Sequence, residues 1–472
     1  MGSPQTADQS APPAIETRGG LDAAKHRHRT VKAEIRSNLV AVLREGRTPF
    51  PGIVGFDDTV LPDLERALLA GHDTVLLGER GQGKTRIMRT VSGLLDEWTP
   101  VVTGCEINDH PLQPVCVRCR RLGDELGDEL PVSWWHRDGR YGEKLATPDT
   151  SVGDLIGDID PIKVAEGRTL GDPETVHYGL LPRANRGIFG INELPDLAER
   201  IQVALFNVLE ERDIQVRGYA LRLPLDLLLV ASANPEDYTN RGRIITPLKD
   251  RFGAEIRTHY LDEVTHETAL IQQEATLVAD VPTHVLEVIA RFVYELRGST
   301  AIDQRSGVSA RFGVAAAEAV AASALRRMAR LGEDDPVARI SDFPDVVPTL
   351  RGKVEFEMGE EGREQEVLAH LLRTAVAATF REHLRGLDLT GFTERFAAGD
   401  TVETGPLVAA STLLDQLGGI PGLADALNRL DVDEDNVSRG QVAAAVELVL
   451  EGLHLTRRLS KETVDGVTIY GS

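Results

Sequence analysis

The sequence predicts an α/β protein whose core is a parallel sheet, followed by a separate helical domain and a further helical C-terminal region. Three observations predict it. Apolar strand-like runs at Val75 to Leu77, Gly187 to Ile191 and Leu225 to Ala231 alternate with helical stretches, the pattern that βαβ units impose. The first run, from Thr74 to Leu77, leads directly into a glycine-rich stretch and then a helical one. After Phe252 the strand-like runs cease, and apolar stripes at helical spacing appear from Thr265 to Ala279, Thr283 to Leu296 and Arg311 to Leu331.

Taken in order, residues 1–29 are rich in Ser, Pro, Gly and polar residues and are expected to be a disordered tail. A helical pattern from Thr30 to Arg44 (Val31, Ile35, Leu39, Val42, Leu43) opens a nucleotide-binding core expected over 30–258. It runs into the Pro/Gly-punctuated turn Pro49-Phe50-Pro51-Gly52-Ile53-Val54-Gly55. A cysteine-containing insertion is expected at about 103–145, a helical domain at 259–350 and a helical C-terminal region at 351–472. Within the last region, Gln365 to Leu384 and Gln441 to Leu455 carry helical patterns, and the acidic run Glu355 to Glu366 reads as a solvated linker or helix start.

Composition sets limits. The chain has 472 residues, enough for several cores, with 42% hydrophobic and 5% aromatic residues, which suits a helix-rich protein. A formal net charge of −22 repels phosphates and disfavours nucleic acid as a partner, although a local basic patch stays compatible with it. No uncharged apolar run reaches the length of about 18 residues that a membrane span needs. The polar N-terminus has no apolar secretion segment, so a cytoplasmic location is expected.

The chemistry is carried by Gly78-Glu79-Arg80-Gly81-Gln82-Gly83-Lys84-Thr85, followed by Arg86. Glycines here let backbone N–H groups face phosphate oxygens, and a following helix adds its positive end. Lys84 is placed to reach the β- and γ-phosphates of ATP, and the Thr85 hydroxyl to ligate Mg²⁺. Downstream, the buried run Gly187 to Ile191 ends in Asn192-Glu193, where a water-orienting carboxylate belongs. Glu193 suits that role. Asn192 stands where an Asp is usual: its amide can offer an oxygen to the magnesium shell but no charge. A second buried run ends in Asn234, able to bond the γ-phosphate or the lytic water. The segment Arg241 to Gly253 supplies Arg241, Arg243 and Arg251, any of which can neutralise charge on a transferred phosphate, and Arg311 opens the Ala-rich helical stretch.

The ordered series Pro49 to Gly55, GERGQGKT, GIFGINEL, ASANP, LKDRFG and GVSAR resembles the AAA+ ATPases of the magnesium chelatase subunit I and MoxR group over about 48–330. That resemblance implies a P-loop AAA+ core with an all-α lid, assembled with itself as a ring, commonly a hexamer, with nucleotide at subunit interfaces. It implies further that Val54 and Gly55 flank the nucleotide, that Glu193 activates water, and that Asn234 is the sensor-1 residue. Arg251 becomes the arginine finger and Arg311 the sensor-2 arginine. It also implies action on a partner protein, in metal insertion or metalloprotein maturation, with a von Willebrand factor A-type protein as a possible companion. Residues 334–472 fall outside it.

The cysteines form a second constellation, Cys105-x4-His110-x5-Cys116-x2-Cys119. A C-x2-C pair lets two thiolates share one tetrahedral ion, and Cys105 with His110 completes a closed structural zinc site. His136 or a residue from elsewhere can replace His110, and three reduced thiols in a local loop are the plainer alternative. Two other functions compete with the ATP-driven motor. A sigma-54-type transcriptional activator shares the AAA+ core but needs a Gly-Ala-Phe-Thr-Gly-Ala loop and a helix-turn-helix, neither of which occurs here. An ATP-binding scaffold with weak hydrolysis is suggested by Asn192.

Overall fold

Five parallel strands organise the first of two units in the computed structural model, which describes residues 11–160, 162, 165, 175–211, 223–235, 243–417, 422–432, 438–464 and 466–472. In chain order the first unit's strands are β1 (Thr74–Leu77), β2 (Trp98–Val102), β3 (Val132–His136), β4 (Tyr141–Leu145), β5 (Gly157–Ile159), β6 (Val176–Tyr178), β7 (Gly187–Asn192), β8 (Leu227–Ala233) and β9 (Ala254–Arg257). The central sheet has the order β4-β7-β8-β1-β9. Every residue of β1, β7 and β8 is buried, so these strands read as unbroken apolar runs, as expected when both faces of a parallel sheet are covered. Register aligns the ends: Leu77 pairs with Ala233, and Ile191 with Ala231. Three loops therefore leave the carboxyl edge of the sheet side by side, the place where open α/β sheets bind ligands.

The Val31–Arg44 helix starts where a cap is available, with the Thr30 hydroxyl accepting the N–H of Ala33. Its buried face includes Glu34, whose carboxylate meets the Arg140 guanidinium through two bonds of 2.7 and 2.8 Å. Arg140 also donates to the carbonyl of Arg186, so this pair ties the Val31–Arg44 helix to the segment entering β7.

The first unit takes the chain up to Glu79 together with Gly83–His259; the second takes Arg80–Gln82 and Tyr260–Ser472. The second unit is built on the helices Thr283–Gly298, Ala310–Leu331, Glu364–His383 and Arg439–Leu455. One hydrophobic core runs through it from Ile271 to Tyr470. It also carries a three-stranded antiparallel sheet of β10 (Val402–Thr404), β11 (Ser460–Val464) and β12 (Val467–Gly471), in the order β10-β12-β11. No described helix is long and apolar enough to cross a membrane.

Three expected boundaries are corrected. The tail does not extend to residue 29: the helix Arg18–Ala23 follows the Thr17 cap, Arg18 N–H bonds to Leu130 O, and Val132 N–H bonds to Glu16 O. Backbone pairing with a distant segment holds this stretch, which its own composition does not reveal; residues 1–10 lie outside the described residues. The insertion does not extend to 145, because β4 pairs with β7 as the edge of the central sheet. No boundary falls at 350/351, since helices on both sides of it share the same core.

Candidate functional site

The phosphate loop begins where β1 stops. Gly78 N–H bonds to Ala233 O at 3.1 Å, keeping the loop's first residue in line with the end of β8. Gly81 and Gly83 hold φ of 79° and 74°, the left-handed region that a side chain resists, and Gly83 caps the helix Lys84–Thr90 without a side-chain bond to its amides. A Cβ built on Gly83 would lie 3.9 Å from the ring of Phe56, the residue that follows Val54-Gly55 in the chain.

Lys84 is buried, and its ammonium is surrounded by acceptors: Gly78 O at 2.5 Å, Glu79 O at 2.7 Å and Asn234 Oδ1 at 2.7 Å. The Asn234 amide in turn donates to Glu193 Oε2 at 2.7 Å. Lys84, Asn234 and Glu193 thus form one continuous chain. Glu193 stands just past β7 with φ 55° and ψ 49°, a conformation that non-glycine residues adopt rarely, and its N–H bonds to Ser232 Oγ. Strain of that kind, about 1–3 kcal/mol, persists only where surrounding structure fixes the residue.

Beside this chain runs a second. Thr85 Oγ1 donates to Asn192 Oδ1 at 2.9 Å, Ser232 Oγ donates to the same oxygen at 3.3 Å, and the Asn192 amide donates to Glu143 Oε1 at 2.6 Å. Glu143 also takes two bonds from Arg89, of 2.8 and 2.9 Å, and these hold its carboxyl below the usual carboxylate range. Sequence reasoning missed Glu143. It lies on the edge strand β4, whose half-exposed residues give no apolar run to find.

These residues fit a magnesium nucleotide: a buried cation lined by acceptors, a hydroxyl in contact with a polar strand end, and glycines at left-handed φ. Arg86 stands half-buried on the helix after the loop, while Arg80 is exposed and Gln82 buried. Arg251 is placed elsewhere in the first unit. It ends the helix Thr246–Arg251, pairs with Glu210 at 2.6 Å and lies over the Phe206 ring at 5.4 Å. Arg243 is exposed, and Arg241 lies outside the described residues. Arg311 is exposed on the first turn of the helix Ala310–Leu331 in the second unit.

The cysteines are brought together, but not with the histidine. Cys105, Cys116, Cys119 and Asp109 offer ligand atoms that all lie within 4.8 Å of one another. His110 is corrected out of this set: its Nδ1 accepts the N–H of Leu112, and its ring stacks on His26 at 5.5 Å and meets His28 edge-on at 4.6 Å. Burial pushes its pKa down to about 2, leaving the ring neutral. His136 faces Trp98 and Asp138 instead.

A family model described as the sigma-54 interaction domain matches residues 168–251. The magnesium-chelatase 38 kDa subunit of Acidiphilium rubrum is 30% identical over 339 residues, covering 70% of this chain and 83% of that protein. The chain belongs to the magnesium chelatase subunit I group of AAA+ ATPases. The magnesium-chelatase subunit ChlI of a Nostoc strain is 28% identical over 246 residues, covering 50% of this chain and 60% of that relative. Among relatives of this kind the chain spans 52% of the chloroplastic ChlI-2 of Arabidopsis thaliana. A reconstruction of the complex between subunits BchI and BchD of magnesium chelatase is 21% identical and covers 68% of this chain and 98% of that one, at a TM-score of 0.34, too low to bear on the fold. In this magnesium chelatase I-type chain, hydrogen bonds connect Lys84 to Glu193 through Asn234 at the strand ends.

Proposed function

We propose that this protein hydrolyses ATP with Mg²⁺ and uses the energy to remodel a partner protein, in metal insertion or metalloprotein maturation. The observation that supports it most is the chain Lys84–Asn234–Glu193, which links the phosphate loop to the water-orienting carboxylate across two strand ends. Lys84 and the loop amides bind the β- and γ-phosphates, and Thr85 with Asn192 holds the magnesium shell. The ion supplies charge neutralisation at the transferred phosphate. Glu193 orients and deprotonates the attacking water, and Asn234 fixes Glu193 against the γ-phosphate. Arg251 serves a neighbouring subunit's nucleotide, and Arg311 its own.

Assembly follows from that assignment. A finger on one subunit and a phosphate loop on the next suit a closed ring, and we take it to be a hexamer with a cytoplasmic, chaperone-like role of the MoxR kind, in which a von Willebrand factor A-type protein is a candidate partner. Mixing Arg251→Ala subunits with Glu193→Gln subunits tests it: partial recovery of turnover supports shared interfaces, and no recovery in confirmed mixed rings rejects the finger.

A second reading, an ATP-binding scaffold with weak hydrolysis, is favoured by one observation, the uncharged Asn192. Glu143 argues against it, because a carboxylate bonded to the Asn192 amide restores negative charge next to the magnesium position. Steady-state ATPase rates of the assembled protein decide between the two. Equal, negligible rates for the wild type and Glu193→Gln would establish the scaffold. The sigma-54 activator reading is weaker: the matching model covers 168–251, whereas the chelatase likeness extends over 339 residues.

A further inference from the structure

We propose that Cys105, Asp109, Cys116 and Cys119 hold a structural zinc ion, with Asp109 rather than His110 as the fourth ligand. The four ligand atoms lie within 4.8 Å of one another, a spread that small side-chain rotations close onto an ion with Zn–S of about 2.3 Å and Zn–O of about 2.0–2.2 Å. Local backbone geometry gathers them. The Cys105 N–H bonds back to Val102 O at 3.0 Å as the chain leaves β2, and Asn108 turns it with φ 56°. Cys116 then caps the helix Val117–Leu126, which puts Cys119 in its first turn.

Asp109 decides the ligand set. Its carboxyl is buried, and Oδ2 accepts the N–H groups of Val115 at 3.0 Å and Cys116 at 2.8 Å. Oδ1 is also buried and has no hydrogen-bond partner among the described residues. An orphaned buried acceptor costs about 1–3 kcal/mol, and more when charged. A cation at the sulfurs is the partner it lacks.

The surroundings suit thiolates. Asp109 N–H donates to Cys105 Sγ at 3.3 Å, Cys119 N–H donates to Cys116 Sγ at 3.3 Å, and Arg118 reaches Cys119 Sγ at 3.9 Å. Three thiolates and a carboxylate around a divalent ion leave a net negative centre, and these donors offset it. Binding releases the thiol protons to solvent, with no change of oxidation state. Thiolate sulfur selects zinc over magnesium, and four protein ligands leave no open position for catalysis.

The ion would staple a loop that touches the entrance to β7. Asn108 Nδ2 donates to Arg183 O at 2.7 Å, and Asn185 Nδ2 donates to Ile107 O at 2.9 Å. The assignment stands apart from the nucleotide reading, so either can fail alone. Elemental analysis of the full-length protein, purified reduced and without chelators, should find about one equivalent of zinc per chain. His110→Ala should keep it, whereas Cys119→Ser and Asp109→Ala should lose most of it. Cobalt(II) added to reduced, zinc-stripped protein should give tetrahedral visible bands with thiolate charge transfer, altered in Asp109→Asn and unchanged in His110→Ala. Circular dichroism shows which variants fold, and if Cys119→Ser does not, the wild-type cobalt spectrum decides. A wild type without zinc that also fails to bind cobalt overturns the site, and metal lost from His110→Ala but kept by Asp109→Ala overturns the ligand set.

Discussion

Both units bury charged and polar side chains, the first including the enclosed Glu34–Arg140 pair, but the phosphate-loop network of the first is closed differently from the arginine network of the second. In the first, Lys84, Asn234, Glu193, Thr85 and Asn192 are joined by single bonds issuing from the ends of neighbouring strands. In the second, two guanidiniums are enclosed. Arg327 meets Asp342 at 2.5 Å and Glu333 at 3.2 Å, while Arg339 meets Glu447 at 3.4 Å, Glu333 at 3.7 Å and the carbonyl of Val408 at 2.8 Å. Ser341 and Ala410 amides cap the remaining carboxylate oxygens. A lysine held by carbonyls and one amide can exchange those partners for a phosphate at little cost. A guanidinium ringed by carboxylates cannot, and it fastens its helices together. On the proposed function, burial of charge goes with chemistry where the network opens at a sheet edge and with fastening where carboxylates close it.

The largest effect should come from breaking the open network. Glu193→Gln keeps the shape of the side chain and removes the proposed base, so kcat for ATP hydrolysis should fall about 10²–10⁴-fold with nucleotide binding retained. A fall in binding of the same size would mean that Glu193 supports the cradle and does not act on water. In the closed network the loss should be stability instead. Arg339→Ala leaves Glu447 and Glu333 buried with fewer counter-charges, at a cost of about 3–5 kcal/mol. Denaturant melts of the second unit report it, and an unchanged midpoint would show that the carboxylates take up protons at no cost.

What the sequence could show follows the same division. That Lys84, Thr85, Asn192, Glu193 and Asn234 lie close together was legible, because a parallel sheet carries strand ends to one edge and motif order becomes spatial order. The helix Val31–Arg44 was legible too, from its apolar spacing. Asp109 was not, since which residue of a loop turns inward depends on a single backbone torsion at Asn108 and on two amides several residues later. The tail expected over 1–29 was drawn too long because the pairing of Thr17 with Pro131 is a distant contact with no local signature. The boundary expected at 350/351 failed for a related reason: an acidic stretch looks like a linker whether or not the helices on either side share a core.

Glu143 sharpens the contrast, since it joins the open network from an edge strand and is itself fastened to Arg89. If its charge serves the magnesium position through Asn192, Glu143→Gln should raise the Mg²⁺ concentration for half-maximal turnover about 10–100-fold while ATP binding in the absence of metal stays unchanged. Asn192→Asp combined with Glu143→Gln should recover part of the loss. Failure of that rescue, with Asn192→Asp alone active, would assign Glu143 to holding Arg89 only.

The smallest effect belongs to a half-open pair within the second unit. His383, at the end of the helix Glu364–His383, bonds through Nε2 to Glu287 on the helix Thr283–Gly298. That bond raises the histidine pKa, with burial and Arg291 opposing it. A raised histidine pKa means that the pair's stabilisation is complete below the unfolded value of about 6.5 and is lost as pH rises through the folded value. Because the pair is partly solvated, the contribution should stay within about 1 kcal/mol. Wild type and His383→Gln should therefore differ in melting temperature at pH 6 and converge by pH 9, with the difference shrinking in high salt. A gap that stays constant across that range would mean that the ring contributes packing rather than charge, and the contact would then belong with the enclosed arginines as a fastener.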